Sequence, residues 1–209
     1  MPAALGDDFI EEQVPLQGEA LRILRPRDFE DLLTEESFER EELLPYWAEL
    51  WSSGVALAAE VAVRSLRGAR TLELGCGLAL PSIAAARAGG RVTASDWAPQ
   101  AVELAVANAS RNGASIDGET HSWAEPESLL ERAPWDLVLA SDVLYDRRNV
   151  ALLLGLLPLL VDRRGEVWVA DPGRPPAEQF IQGADRLFDR RTAPSSREPR
   201  VTIHKLRLR

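Results

Sequence analysis

The chain has 209 residues, 45% hydrophobic and 27% charged, which fits one globular unit with a sizeable core and excludes a disordered chain. With 24 basic and 33 acidic residues the net charge is −9, which argues against general affinity for nucleic acid or for an anionic membrane surface. The charge is uneven, at −10 over residues 1–50, −3 over 51–161 and +4 over 162–209.

A single cysteine, Cys76, excludes an internal disulfide, and with only His121 and His204 to assist it no metal site is expected. The opening Met-Pro-Ala-Ala-Leu-Gly-Asp-Asp has no positive n-region and no apolar h-region, so no signal peptide is expected. The longest apolar stretch, Val150 to Val161, is too short to span a bilayer and contains Pro158. These features predict a soluble, cytoplasmic, monomeric protein without a membrane or nucleic-acid partner.

In chain order, Val14, Leu16, Leu21, Ile23 and Leu24 predict two short strands around Gln17-Gly18-Glu19. Arg27 to Leu44 is acidic with a partly helical pattern and is stopped by Pro45. An aromatic run, Tyr46-Trp47-Ala48-Glu49-Leu50-Trp51, precedes Ser53, which can cap a helix from about Val55 to Leu66. Strands are then predicted at Arg70–Leu74, Arg91–Asp96, Ile116–Ser122, Trp135–Ala140 and Glu166–Asp171. Helices are predicted between and after them at Pro81–Ala88, Pro99–Asn112, Glu125–Arg132, Asn149–Val161 and Ala177–Leu187. Two final runs, Phe188–Thr192 and Val201–Leu208, read as an antiparallel hairpin. The alternation predicts an α/β fold, a Rossmann-like, doubly wound, mostly parallel seven-stranded sheet with a C-terminal antiparallel hairpin. Residues 1–45 would be an N-terminal extension and 46–209 the domain.

In such sheets a ligand sits at the carboxyl ends of the strands. Gly75-Cys76-Gly77 follows the first strand of the alternating region and precedes a helix, and Asp96 ends the next strand, 21 residues after Gly75. Glycines permit a tight turn and close backbone approach, and a carboxylate at Asp96 can accept both hydroxyls of a ribose. Leu80 stands where a dinucleotide fingerprint would have its third glycine, and no Gly-Lys-Ser/Thr follows. Glu73, two residues before the first glycine, would repel a pyrophosphate and attract a cationic adenosine ligand, which is S-adenosylmethionine; alternatively it is a strand-end carboxylate satisfied by backbone N–H groups.

Glu73-Leu-Gly-Cys-Gly77, Asp96 and Asp136-Leu-Val-Leu-Ala-Ser-Asp142-Val-Leu-Tyr145 resemble the motifs of class I, seven-strand methyltransferases. Asp142-x-x-Tyr145 and Trp47-Ala-Glu-Leu-Trp51 are similar to the protein N-lysine methyltransferase branch, and Val167-Trp-Val-Ala-Asp171-Pro-Gly-Arg174 to its electron transfer flavoprotein β-subunit type. The likeness runs from about Pro45 to Arg174; Ala79 departs from it, since many members have glycine there. It implies S-adenosylmethionine as cofactor, S-adenosylhomocysteine as product and a protein lysine as acceptor. Gly75, Cys76 and Gly77 would run beneath the methionine part of the cofactor, with Asp96 on the ribose and Trp123 on the adenine. Trp51 and Ser141 would lie beside the cofactor, and Trp97 would cover the adenine or simply pack.

Asp142 and Tyr145 would hold the acceptor amine and aim its lone pair at the methyl group. Asp142 could instead cap the following helix, and Tyr145 could be a core residue. Tyr46, Trp47 and Trp51 would wall a channel for an aliphatic ammonium stem or staple the N-terminal segment. His121 and His204 read as surface or structural residues, and Cys76 as a small filler. Acceptors other than protein lysine remain open: a small-molecule amine would fit the same cleft, and a module that binds the cofactor without turnover would carry the same motifs. The acidic residues Glu35, Glu36, Glu39, Glu41 and Glu42 would either attract a basic acceptor or serve only as a solvated face.

Overall fold

Residues 137–140 and 167–170 are apolar on every position, so neither run can expose a face to water, and such strands belong in a sheet covered on both sides. The computed structural model, which describes residues 8–16, 18–28 and 44–209, builds that sheet. Strands β3 (Arg70–Leu74), β4 (Arg91–Asp96), β5 (Asp117–Thr120), β6 (Leu137–Ser141) and β7 (Glu166–Asp171) run parallel. β8 (Phe188–Pro194) and β9 (Thr202–Leu208) form the expected hairpin, with β9 antiparallel to β7. The spatial order is β5-β4-β3-β6-β7-β9-β8.

Leu137, Leu139, Trp168 and Ala170 pack on one face against α1 (Ser52–Ala62), α2 (Leu80–Arg87) and α3 (Pro99–Arg111). Val138, Ala140, Val167 and Val169 pack on the other, against α4 (Glu127–Glu131), α5 (Arg147–Leu160) and α6 (Ala177–Leu187). Alternate residues of one strand thus enter two separate cores, which is why these runs show no alternation in sequence.

The helix after the aromatic run begins earlier than expected. Trp51, not Ser53, occupies the N-cap position, and its indole N–H donates to the Tyr46 carbonyl at 2.8 Å. That bond fixes the entry of the chain, so Ser53 falls inside the first turn, where it is fully buried. The helix ends at Ala62 rather than Leu66. At α5 the cap is Asp146, whose side chain accepts the Asn149 N–H at 2.7 Å, so Asp142 is not the capping residue.

The two N-terminal strands, β1 (Phe9–Val14) and β2 (Leu21–Pro26), pair with each other as a separate antiparallel hairpin. Residues 29–43, which hold most of the acidic stretch, including Glu35, Glu36, Glu39, Glu41 and Glu42, lie outside the described residues. The hairpin is fastened to α3 through the buried Asn108. Its amide accepts the Leu24 N–H at 2.8 Å and donates to the Leu24 and Leu78 carbonyls at 3.0 and 3.4 Å. An Asn108→Ala substitution leaves both peptide groups of Leu24 without those partners in a dry site. It should lower unfolding stability by about 2–3 kcal/mol in urea titration; a loss below about 0.5 kcal/mol would mean that Asn108 is not what fastens the hairpin, leaving that to apolar packing and to the bonds of Asn112 and Arg111 with Arg22 and Glu11.

Candidate active site

Strand order reverses between β3 and β6, because the chain leaving β3 returns on one side of it and the chain reaching β6 continues on the other. A crevice opens at the carboxyl ends of these strands. It is a cleft of about 580 Å³ that reaches from the glycine loop to Asp142 and Tyr145, with Tyr46, Trp47 and Trp51 along its rim. Such a volume lies within the roughly 300–1,000 Å³ usual for small-molecule sites.

The floor is the turn from β3 into α2. Gly75 and Gly77 have φ of +65° and +46°, in the left-handed region that side chains avoid. Both are also crowded: a Cβ on Gly75 would come within 3.2 Å of Val143 and 3.3 Å of the Trp123 ring, and one on Gly77 within 3.1 Å of the Trp47 carbonyl. Ala79 has φ +63°, which supplies the physical reason a glycine would suit that position, and it carries a methyl group there at the cost of local strain.

Asp96 is buried at the end of β4 and lines the cleft. Its carboxylate accepts the N–H of Gly77 at 3.0 Å and that of Ala98 at 3.1 Å. Burial raises its pKa, opposed by the N–H groups of Gly77, Ala98 and Trp97. Trp97, Trp123, Ser141 and Cys76 also line the cleft, with Trp97 at the exposed rim. The Cys76 thiol is pushed well up, first by burial and then by Asp96 and Glu73, which keeps it unreactive.

Glu73 does not line the cleft. It is fully buried behind the glycine loop, where its Oε2 accepts the Ser82 N–H at 2.8 Å in the first turn of α2 and its Oε1 has no partner. Burial raises its pKa to about 8. His121, read from sequence as a surface or structural residue, does line the cleft, since its backbone N–H donates to the Asp96 carbonyl at 2.7 Å and draws it to the carboxyl edge. Only the pairing of β5 with β4 brings it there, which no local pattern announces.

At the far end, Asp142 is 7% exposed with φ +58°, and its N–H donates to the Ala170 carbonyl at 3.0 Å. One of its oxygens, Oδ1, takes both Nε and Nη2 of Arg174, the former at 2.5 Å. The Arg174 guanidinium also lies over the Trp51 ring, 5.4 Å from its centroid. Tyr46 stands between Trp51 and Tyr145, at ring separations of 6.3 and 5.7 Å. Burial raises the Tyr145 phenol above its ordinary pKa, so it stays protonated near neutrality. Sequence reasoning assigned Arg174 no role. The signal was its place just after Asp171-Pro-Gly at the end of a strand adjacent to β6.

The profile of a family described as lysine methyltransferase matches residues 40–186. The chain belongs to that family. It is 34% identical over 137 residues to the electron transfer flavoprotein beta subunit lysine methyltransferase of Xenopus laevis, an alignment covering 62% of this chain and 53% of that protein. It is 33% identical over 132 residues to the histone-arginine methyltransferase METTL23 of the same organism, covering 59% and 56%. The chain therefore spans about half the length of these curated relatives. Among solved structures, the T. thermophilus 16S rRNA N2 G1207 methyltransferase RsmC superposes with a TM-score of 0.70 at 12% identity, over 96% of this chain and 51% of that one. At that identity the likeness establishes the fold.

In this member of the lysine methyltransferase family the buried Glu73 has a consequence for stability. Its folded pKa of about 8 exceeds the ordinary 4.5, so the folded state binds the extra proton and stability falls as pH rises from about 5 to 8. Glu73→Gln should remove that slope. Its stability relative to the parent chain should rise across this window by a few kcal/mol in urea titrations at pH 5 and pH 8. Equal differences at both pH values would show that Glu73 is ionised in the fold.

Proposed function

We propose that this protein transfers a methyl group from S-adenosylmethionine to the ε-nitrogen of a lysine in a protein acceptor, with residues 46–209 as the catalytic domain and 1–45 as an extension. The observation that carries the reading is one cleft with two chemically different ends, a glycine loop with Asp96 at one and Asp142 with Tyr145 among aromatic rings at the other. Family membership and the flavoprotein-directed relative support lysine as the acceptor.

The residues fit the cofactor. Gly75 and Gly77 line the cleft with bare backbone, and Asp96 presents a carboxylate for the ribose hydroxyls. Trp123, against Gly75, offers a flat face for adenine, and Trp97 can cover it from the rim. Trp51 and Ser141 would flank the methionine part. When bound, S-adenosylmethionine supplies an electrophilic methyl carbon, whose bond to sulfur breaks with the electron pair left on sulfur as the amine lone pair forms the new C–N bond.

The chain's own contribution is to bind, align and exclude water. The lysine ε-amine must arrive neutral, because an ammonium has no lone pair. Asp142 accepts an N–H from it and stabilises the positive charge that grows on nitrogen as the bond forms. The neutral Tyr145 phenol takes a second N–H, which leaves the lone pair directed at the methyl carbon. Tyr46, Trp51 and Tyr145 present aromatic surface to the aliphatic stem and to the methylated cation. The proton lost from nitrogen leaves to solvent at the open rim.

The test is incubation of the purified protein with methyl-labelled S-adenosylmethionine and electron transfer flavoprotein β-subunit, with whole lysate alongside, read by mass spectrometry. Label on lysine ε-nitrogen is expected; label only on arginine, on small amines or on nothing would overturn the lysine reading. Asp96→Ala should weaken cofactor affinity about 10- to 100-fold by calorimetry, which corresponds to about 1–3 kcal/mol. Asp142→Ala should lower kcat at least about 100-fold while cofactor affinity changes less than about threefold. Equal losses in both quantities would assign Asp142 to the cofactor instead of the acceptor.

A further inference from the structure

The Asp142 carboxylate is divided. Oδ1 is taken by two donors of Arg174, whereas Oδ2 has no recorded partner among the described residues. Arg174 is itself held from three directions. Asp171, buried at the end of β7, accepts the N–H groups of Gly173 and Arg174 at 2.7 and 2.9 Å and so fixes the loop that carries the guanidinium. Asp142 holds its donors, and the Trp51 ring lies against its face. A guanidinium pinned this way is a fixed positive charge beside the carboxylate that receives the amine. A bare carboxylate in a half-buried cleft would have the opposite effect, stabilising the ammonium form of lysine and so holding the acceptor in its unreactive state.

The geometry points to Arg174 as the positioning residue for the acceptor nitrogen, occupying one oxygen of Asp142, leaving the other for the amine, and favouring the neutral amine by its charge. This inference rests on the proposed methyl transfer to lysine. It assigns Asp171 a supporting part, since that carboxylate never reaches the cleft but sets where Arg174 stands. The other charged and titratable groups around this end of the cleft are Tyr46 and Glu49 from the entrance, Tyr145 from the β6–α5 loop, and Asp146 and Arg148 at the start of α5. Asp146 spends a carboxylate oxygen on the N-cap of α5, and Arg174 is in direct contact with Asp142.

The experiment is the pH dependence of kcat, which reports groups in the bound complex, for the parent chain, Arg174→Gln and Arg174→Lys, with the flavoprotein subunit as acceptor. Glutamine keeps a donor and loses the charge; lysine keeps the charge and loses the two-donor grip. For Arg174→Gln the acid limb should move upward by about one pH unit, so that kcat falls roughly tenfold at neutral pH and recovers at alkaline pH. Cofactor affinity by calorimetry should stay within about threefold. For Arg174→Lys the limb should stay where it is in the parent chain, with a lower plateau. A uniform loss at every pH in Arg174→Gln, or no change, would overturn the inference, as would an upward shift in Arg174→Lys even if the glutamine variant failed to fold. A parent chain that labels no lysine on the flavoprotein subunit or on any lysate protein would overturn the proposed function and this inference with it. Normal lysine transfer combined with an unmoved limb in Arg174→Gln would overturn only the role of Arg174.

Discussion

Two buried carboxyl groups hold the turn between β3 and α2, one from behind and one from the side. Glu73 takes the Ser82 N–H in the first turn of the helix, and Asp96, arriving from the neighbouring strand, takes the Gly77 N–H. Each satisfies a backbone donor that the turn would otherwise bury without a partner, and an unpaired buried donor is costly. Between these two bonds the chain takes left-handed conformations at Gly75, Gly77 and Ala79, an arrangement that would not persist without such support. The cleft floor, the contact of Trp123 with Gly75 and the approach of the Trp47 carbonyl to Gly77 all depend on where this turn runs.

The carboxyl edge of β6 and β7 repeats the device with side chains in place of a glycine loop. Asp171 fixes a turn by taking two N–H groups, the turn presents Arg174, and Arg174 grips Asp142. Asp142 meets it from a left-handed backbone position whose N–H is held by β7. The two ends of the cleft are therefore built on adjacent rigid strands, which suits a reaction that depends on aligning one nitrogen with one carbon. The aromatic rim joins them: Trp51 contacts Tyr46 and Arg174, and Tyr46 contacts Tyr145.

Much of the fold was legible because its signals are local. Strands Arg70–Leu74, Arg91–Asp96 and Glu166–Asp171 and helix Ala177–Leu187 have the bounds expected of them, since apolar runs, Gly-Gly and Pro-Gly punctuation and a strong helical period coincide there. The errors fall where a tertiary bond overrides local preference. Ser53 is a good capping residue by type, yet the Trp51 indole bonded to Tyr46 starts the helix before it. Asp142 was a plausible cap, yet the helix begins only at Arg147, so Asp146 holds the N-cap position while Asp142, five residues before the helix, meets Arg174.

By itself the sequence determined the α/β architecture, the glycine turn, the strand-end acids Asp96 and Asp142 and the aromatic entrance, because each is written in residue types at fixed spacing along one segment. Only the tertiary structure decided that Glu73 turns away from the cleft to a helix N-terminus, that His121 comes to its edge, and that Arg174 stands on Asp142, 32 residues away in the chain. These three depend on which strands lie side by side and on which buried donor each side chain can reach, and neither quantity has a local period to read.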